Sequence, residues 1–294
     1  MTDMTSAAGD VAPQAEAEGP KVWFVTGASR GFGRDWTIAA LDRGDLVAAT
    51  ARDASTLADL ADKYGDRILA VQLDVTDRAG VFDAVARAHQ RFGRLDVIVN
   101  NAGYGQFGLI EEISESEARD QIETNLFGAL WVTQAALPFL REQRSGRILQ
   151  VSSIGGISAF PNIGMYNASK WALEGLSQAL AQEVAGFGIK VTLIEPGAYS
   201  TDWGGASARH ATPNPAYDEF RVEAQRQRAK RAGAPGDPAA SSDAVLTVVD
   251  AENPPLRVFL GDGPLAIATA DYESRLATWR QWEPVSVAAH GTRG

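Results

Sequence analysis

Short apolar runs rich in β-branched residues recur along the chain, and longer segments with helical periodicity separate them. The runs lie at 21–26, 46–50, 68–73, 97–100, 147–152, 190–195 and 257–260. The helical segments lie at 32–43, 54–64, 77–92, 115–140, 165–186 and 238–250. Alternation of this kind is typical of βαβ units wound around a parallel sheet. We therefore expect an α/β fold with a doubly wound, seven-stranded parallel sheet, forming one domain over 21–284.

Other stretches depart from this alternation. Residues 1–20 have the composition of a disordered tail, and we expect a second, flexible tail at 285–294. The irregular stretch at 198–238 is long enough to be a substrate lid, although a tolerated surface insertion would look similar. An Asp237–Pro238 pair suggests where the next helix begins. Near the end, large apolar residues at helical spacing predict core or interface packing: Tyr272, Leu276, Trp279 and Trp282.

Composition and charge exclude several classes of function. The 294 residues include no cysteine and three scattered histidines, which argues against a metal site or a serine-histidine hydrolase. A net charge of −10 disfavours nucleic-acid binding. Because no long uncharged apolar run and no signal-peptide pattern is evident, we expect no membrane span and a cytoplasmic protein.

A glycine-rich loop, Thr26-Gly27-Ala28-Ser29-Arg30-Gly31-Phe32-Gly33, follows the first predicted strand and precedes a helix. Glycines at this position let a pyrophosphate approach the backbone N–H groups at the start of the helix. The placement predicts a dinucleotide site of the Rossmann type.

The end of the second strand indicates which dinucleotide binds. An acidic residue there would hold a ribose 2′-hydroxyl, whereas arginine suits a 2′-phosphate. The chain has Arg52 at this point and Arg30 within the glycine loop, so we expect NADP(H) in preference to NAD(H). Asp53 follows directly and could either cap the next helix or contact the ribose.

A third pattern indicates proton transfer. Tyr166 lies four residues before Lys170 and thirteen after Ser153. On a helix, the tyrosine and the lysine would share one face, and the ammonium would lower the pKa of the phenol. The serine hydroxyl could hold a substrate oxygen that exchanges a proton with the tyrosine. A tyrosine and a lysine on a solvated helix face would show the same spacing.

Taken together over 21–201, these motifs resemble the short-chain dehydrogenase/reductase family. The strand at 254–261 and the tail that follows it look loosely closer to the hydroxysteroid and retinol dehydrogenase members. Further family motifs appear in order, with Asn125 and Thr201 matching single family positions. They are Asp74 and Val75 after the third strand, Asn100-Asn101-Ala102-Gly103 after the fourth and Pro196-Gly197 after the sixth.

The resemblance implies roles for single residues. The catalytic set would be Asn125, Ser153, Tyr166 and Lys170. The cofactor-binding set would be Gly27, Ser29, Arg30, Gly31, Phe32, Gly33, Arg52, Asp74, Val75, Asn101, Ala102, Gly103, Tyr166, Lys170, Pro196, Gly197 and Thr201. Asn125 would hold a water that links the lysine to solvent, and Thr201 would bind the nicotinamide carboxamide.

We expect an oxidoreductase that moves hydride reversibly between a nicotinamide and a ketone or secondary alcohol. Aromatic and apolar residues after the strand ends suggest a hydrophobic substrate, although several could instead pack the lid or a subunit contact. These residues are Tyr104, Phe107, Phe160, Met165, Tyr199 and Trp203.

Two other functions fit the same motifs. An epimerase or dehydratase could hold the nucleotide tightly, and a non-catalytic protein could sense NADP(H). The resemblance also implies a homodimer or homotetramer built on the helices near 115–140 and 165–186, with a small-molecule substrate as the other partner.

Overall fold

The structure is a computed structural model that describes residues 19–205, 207–231 and 235–291. Its main sheet has seven parallel strands in the order β3-β2-β1-β4-β6-β7-β9. These strands are β1 Val22–Val25, β2 Leu46–Ala51, β3 Ile68–Gln72, β4 Val97–Asn100, β6 Gly146–Val151, β7 Ile189–Pro196 and β9 Arg257–Leu260. The fold class and all seven predicted strands are confirmed. A small parallel pair, β5 Gln106–Phe107 with β8 Arg209–His210, joins the 198–238 segment, the predicted lid, to the loop after β4.

Helices cover both faces of the sheet. They are α1 Gly31–Asp42, α2 Ala58–Tyr64, α3 Arg78–Phe92, α4 Glu115–Ile122, α5 Gly128–Gln143, α6 Gly164–Val184, α7 Asp218–Arg231, α8 Ser241–Asp250 and α9 Pro264–Ala289. Alternate residues of β1 belong to two different clusters of buried hydrophobic side chains. Trp23 and Val25 lie in one cluster, and Val22 and Phe24 lie in the other. Since strand side chains alternate between faces, the core is two layers, one on each side of the sheet.

Two predicted helices differ from the observed ones. The predicted helix at 115–140 is divided by a turn of π-helix at Glu123–Phe127. The helix expected to begin at Asp237–Pro238 begins instead at Ser241. The Asp237 side chain caps a preceding turn, where it accepts a hydrogen bond from the N–H of Ala239 at 3.0 Å.

The C-terminal helix α9 corrects one prediction. Its aromatic residues do not enter the core of the chain, because Trp279 and Trp282 are each 59% exposed, and Tyr272 and Leu276 are also exposed. Interface packing of these residues stays a prediction. The helix runs to Ala289, past the residue 284 at which we expected the domain to end, while residues 292–294 and 1–18 lie outside the described residues.

The strand order places the site. The chain winds outward from β1 to β3 and then returns to β4 on the other side of β1, so the loops after β1 and β4 diverge from a common point. In open α/β sheets, ligands bind at such a switch point, outside the carboxyl ends of the strands. Within the described ranges, no helix is both long and apolar enough to cross a membrane.

Candidate active site

A cavity of about 1890 Å³ opens at the carboxyl ends of the strands. Most of the predicted site residues line it, from the glycine loop to the lid. The lining includes Gly27, Ser29, Arg30, Gly31, Phe32, Arg52, Asp74, Val75, Asn101, Ala102, Gly103, Ser153, Tyr166, Lys170, Pro196, Gly197 and Thr201. Gly33 and Asn125 lie behind this surface and support it.

The glycine loop is fitted closely against the loop after β4. The side-chain amide of Asn101 donates hydrogen bonds to the carbonyl oxygens of Thr26 and Gly27, at 2.9 and 3.1 Å. A Cβ atom on Gly33 would lie 2.4 Å from the Gly27 oxygen, and Gly27 itself has a φ of +68°. A side chain at either glycine would therefore displace backbone. This packing holds the start of α1 open to a ligand, as a dinucleotide pyrophosphate requires.

At the end of β2, the acidic residue is engaged in its own turn. Asp53 accepts hydrogen bonds from the backbone N–H and the hydroxyl of Ser55, at 3.0 and 2.7 Å, and so caps the short 3₁₀ turn Ala54–Leu57. Of the two alternatives for Asp53, the structure has the cap. Arg52 and Arg30 both line the cavity here. The local charge suits a phosphate-bearing ribose better than a bare 2′-hydroxyl.

Ser153 and Tyr166 are brought together by two elements. Ser153 follows β6 and begins the 3₁₀ turn Ile154–Gly156, and Tyr166 lies in the first turn of α6. The serine hydroxyl is within hydrogen-bonding reach of the phenol. Since both side chains line the cavity, a carbonyl oxygen placed there could contact both hydroxyl groups.

The pKa of Tyr166 corrects an expectation. Burial raises the pKa of this phenol to about 12, and the hydrogen bond from Ser153 opposes the rise only in part. The Lys170 ammonium lies 5.7 Å from the centre of the tyrosine ring and donates to the Val151 carbonyl at 2.7 Å. The prediction that Lys170 makes the phenol unusually acidic is therefore wrong for this arrangement, because burial dominates the pKa of the phenol.

Burial also lowers the pKa of Lys170 to about 8, with Glu174 opposing that shift. At neutral pH, the pair is a neutral phenol beside an ammonium rather than a phenolate beside an ammonium. A neutral phenol is a proton donor, so this arrangement is set up to protonate a substrate oxygen.

Asn125 lies in the π-helical turn between α4 and α5. Its side chain accepts from the Tyr104 N–H at 3.1 Å and donates to the Tyr104 carbonyl at 3.0 Å and to the Ser169 hydroxyl at 3.2 Å. π-Helical turns recur at functional sites because they redirect backbone groups. This one ties the loop after β4 to α6, close to Lys170.

The predicted substrate residues separate into groups. The Trp203 ring lies 4.8 Å from the Tyr166 ring and 5.2 Å from the Phe107 ring, so these three form an aromatic wall. Tyr199 contacts Phe32 on the other side of the cavity, at 4.9 Å between ring centres. Tyr104 and Phe160 also line the cavity, whereas Met165 is not part of the described lining.

Several cavity residues were not predicted from the sequence. Arg209 of β8 lines the cavity through the β5–β8 pairing, and its guanidinium lies over the Tyr104 ring. Arg221 of α7 also lines it and pairs with the buried carboxylate of Glu112. No local sequence signal marks these residues, since both reach the cavity only by the way the lid folds back.

Comparison with known proteins agrees with this geometry. Residues 21–211 match the family model for short chain dehydrogenases. The oxidoreductase BOA17 of Botryotinia fuckeliana is 41% identical over 271 residues, which cover 92% of this chain and 99% of that protein. The chain therefore belongs to the short-chain dehydrogenase/reductase family, and it is an oxidoreductase of that type.

Solved structures agree with the fold and with a nicotinamide cofactor. A short-chain dehydrogenase from Streptomyces avermitilis has a TM-score of 0.86 and 44% identity, covering 93% of this chain and all of that one. An alcohol dehydrogenase from Thermococcus sibiricus is complexed with 5-hydroxy-NADP, at a TM-score of 0.69, 27% identity and coverages of 82% and 96%. A short-chain dehydrogenase/reductase from Burkholderia phymatum is in complex with NAD. Its TM-score is 0.74 at 25% identity, and the match covers 88% of this chain and 95% of that one.

Proposed function

We propose that this protein is an NADP(H)-preferring carbonyl reductase that acts on hydrophobic ketones and, in reverse, on secondary alcohols. The observation that carries the proposal is the Ser153–Tyr166 hydroxyl pair on the wall of the cavity that the glycine loop also lines. The T. sibiricus neighbour, with its NADP derivative, is consistent with the cofactor, although the B. phymatum neighbour holds NAD. The preference for NADP(H) rests on Arg52, Arg30 and the engagement of Asp53 in its own turn.

The residues of the chain would divide the work as follows. Ser153 holds the carbonyl oxygen, and Tyr166 donates its proton to that oxygen. Lys170 supplies a positive charge that stabilises the phenolate left behind. Asn125 maintains the path by which the proton is replaced. When bound, the nicotinamide supplies the hydride that reduces the carbonyl carbon.

The cofactor would lie along the switch point of the sheet. Gly27, Gly31 and Gly33 leave room for the pyrophosphate, and Asp74 and Val75 border the adenine. Pro196-Gly197 and Thr201 would contact the nicotinamide end. The remaining cofactor contacts would come from Ser29, Phe32, Asn101, Ala102 and Gly103.

Tyr166→Phe tests the mechanism directly. The variant keeps the ring but has no proton to donate, so we expect kcat to fall by a factor of about 10² to 10⁴. The dissociation constant for NADPH, measured by fluorescence titration, should change by less than about twofold, because the cofactor site is otherwise intact. Turnover at the wild-type rate would refute the mechanism.

A panel of carbonyls and alcohols, assayed with NADPH/NADP and with NADH/NAD, tests the reaction and the cofactor together. Oxidation of NADPH by hydrophobic ketones is the expected result. NADPH binding without net absorbance change would instead favour a sensor, or an epimerase or dehydratase that returns its hydride. We also propose a homodimer or homotetramer formed through the α4–α5 segment and α6, whose mass light scattering would measure.

A further inference from the structure

A buried charged cluster lies behind the catalytic residues and has no part in the mechanism proposed above. Glu195 is the last but one residue of β7, directly before Pro196, and it is fully buried. Glu174 of α6 is 5% exposed. The Arg257 side chain, at the start of β9, donates from Nε to Glu174 Oε2 at 2.9 Å and lies 3.5 Å from Glu195 Oε1.

The cluster has more carboxyl oxygens than donors. Within the described residues, three of its four carboxyl oxygens have no hydrogen-bond donor: Oε1 of Glu174 and both oxygens of Glu195. The two carboxyl groups nevertheless lie within hydrogen-bonding reach of each other. Two ionised carboxylates would repel at this distance in a buried site. One proton held between the two carboxyl groups removes the repulsion and lets one orphaned oxygen donate a hydrogen bond to another.

The ionisable groups packed against Glu195 agree with this protonation. Burial, aided by Glu174 of α6 and opposed by Arg257 of β9, raises the pKa of Glu195 to about 8. At neutral pH the two carboxyl groups therefore share one proton and one negative charge, beside the positive charge of Arg257.

The cluster adjoins the catalytic lysine. Glu174 follows Lys170 by one helical turn, and both side chains are buried. They converge on Gly156, where an added Cβ atom would lie 3.1 Å from Cγ of Glu174 and 3.2 Å from Cβ of Lys170. Glu174 is not among the residues that line the cavity, so any effect on the reaction must pass through a neighbouring group, and Lys170 is the catalytic residue one turn away.

We infer that Glu174 is a positioning residue whose negative charge keeps Lys170 protonated. Glu195 holds a proton, so that the two carboxyl groups of Glu174 and Glu195 carry one negative charge between them. Glu174 then lies between two cations, Arg257 and Lys170. Its charge offsets part of the cost of burying the lysine ammonium. The part that concerns Lys170 rests on the proposed function, whereas the shared proton does not.

The pH profile of carbonyl reduction tests the positioning role. Lys170 loses its proton as the pH rises through about 8, so reductive kcat/KM should fall along an alkaline limb near that pH. Glu174→Gln removes the negative charge, and we expect the limb to move about one pH unit lower. Glu183→Gln, an exposed change on the same helix, should leave it in place.

An unchanged limb in Glu174→Gln would overturn the positioning role. The variant is expected to fold, because the Arg257 side chain is 35% exposed and water can solvate it. If it does not fold, Glu174→Asp provides the measurement. Its carboxylate ends farther from Lys170, so the limb should move the same way by less, and no movement would again refute the inference.

Thermal unfolding tests the shared proton without any substrate. Glu195 has an ordinary pKa of 4.5 when unfolded and keeps its proton up to about pH 8 when folded. The folded state thus binds more protons between these values, and the wild-type protein should lose stability as the pH rises from about 4.5 to about 8. Glu195→Gln resembles the protonated acid and should lack this part of the decline, while Glu183→Gln should follow the wild type.

Parallel melting curves for Glu195→Gln and the wild type across this pH range would overturn the shared proton. So would failure of Glu195→Gln to fold at pH 7, because the amide is nearly isosteric with the protonated acid. These outcomes are independent of turnover. Inactivity across the carbonyl panel would refute the proposed function and leave the stability test standing.

Discussion

The glycine loop forms one end of the cavity with backbone groups, whereas the predicted lid and the loop after β4 form the other end with aromatic side chains. At the nucleotide end, Gly33 is packed against the Gly27 carbonyl with no room for a methyl group. At the substrate end, Trp203 contacts Tyr166 and Phe107 through ring faces and edges. Backbone packing admits almost no change, while side-chain packing can vary without disturbing the sheet. We therefore expect substitutions to be least tolerated at the glycine loop, and substrate specificity to be set at the aromatic end.

The largest expected effect on cofactor binding comes from adding a methyl group within the glycine loop. In Gly33→Ala, the new methyl group would lie 2.4 Å from the Gly27 oxygen and from the Asn101 amide, so the loop must move. We expect the dissociation constant for NADPH to rise by about tenfold to a hundredfold. Calorimetric titration measures this. Gly175→Ala is the matched control, since nothing lies within 4 Å of its added Cβ, and equal binding by both variants would contradict the backbone account.

A smaller, selective effect is expected from the charge at the same end. Arg52→Ala should weaken NADPH binding about tenfold or more and leave NADH binding almost unchanged, because only NADPH carries the 2′-phosphate. The ratio of the two dissociation constants is the measurement. Arg87→Ala removes a cation of α3 that pairs with Asp83 and should alter neither constant. Equal losses for both cofactors would show that Arg52 does not read the phosphate.

The smallest expected effect on cofactor binding comes from the lid. Trp203→Ala should raise KM for hydrophobic ketones by about tenfold, since an aromatic contact of a few kcal/mol or less is lost. NADPH affinity should change by less than about twofold. Trp203→Phe, which keeps an aromatic ring, should behave nearly as the wild type. A loss of NADPH binding in Trp203→Ala would erase the separation between the two ends.

Much of the fold could be predicted because its signals are local. Each strand of the sheet is a short apolar run, and the glycine loop and the 153–166–170 spacing are contiguous or nearly so. Ser153 lies thirteen residues before Tyr166, and the structure puts the two hydroxyl groups close together.

The errors arose where a local pattern permits more than one structure or carries no information about its surroundings. Asp237–Pro238 reads locally as a helix start, but the chain uses it for a turn before Ser241. The spacing of Trp279 and Trp282 indicates a helix correctly, yet it carries no information on what lies against that helix. A lowered pKa for Tyr166 seemed to follow from Lys170 alone, because the burial of this phenol is invisible in the sequence.

The sequence by itself determined the order of strands and helices and the glycine loop, because each depends on spacing along a few turns of chain. The catalytic set was implied by the family resemblance and stays a prediction. Only the tertiary structure decided the protonation of those residues. Burial and the arrangement of Glu174, Glu195 and Arg257 depend on α6, β7 and β9 meeting in space. Ionisation depends on the surroundings of a group in three dimensions, and those surroundings come from parts of the chain far apart in sequence.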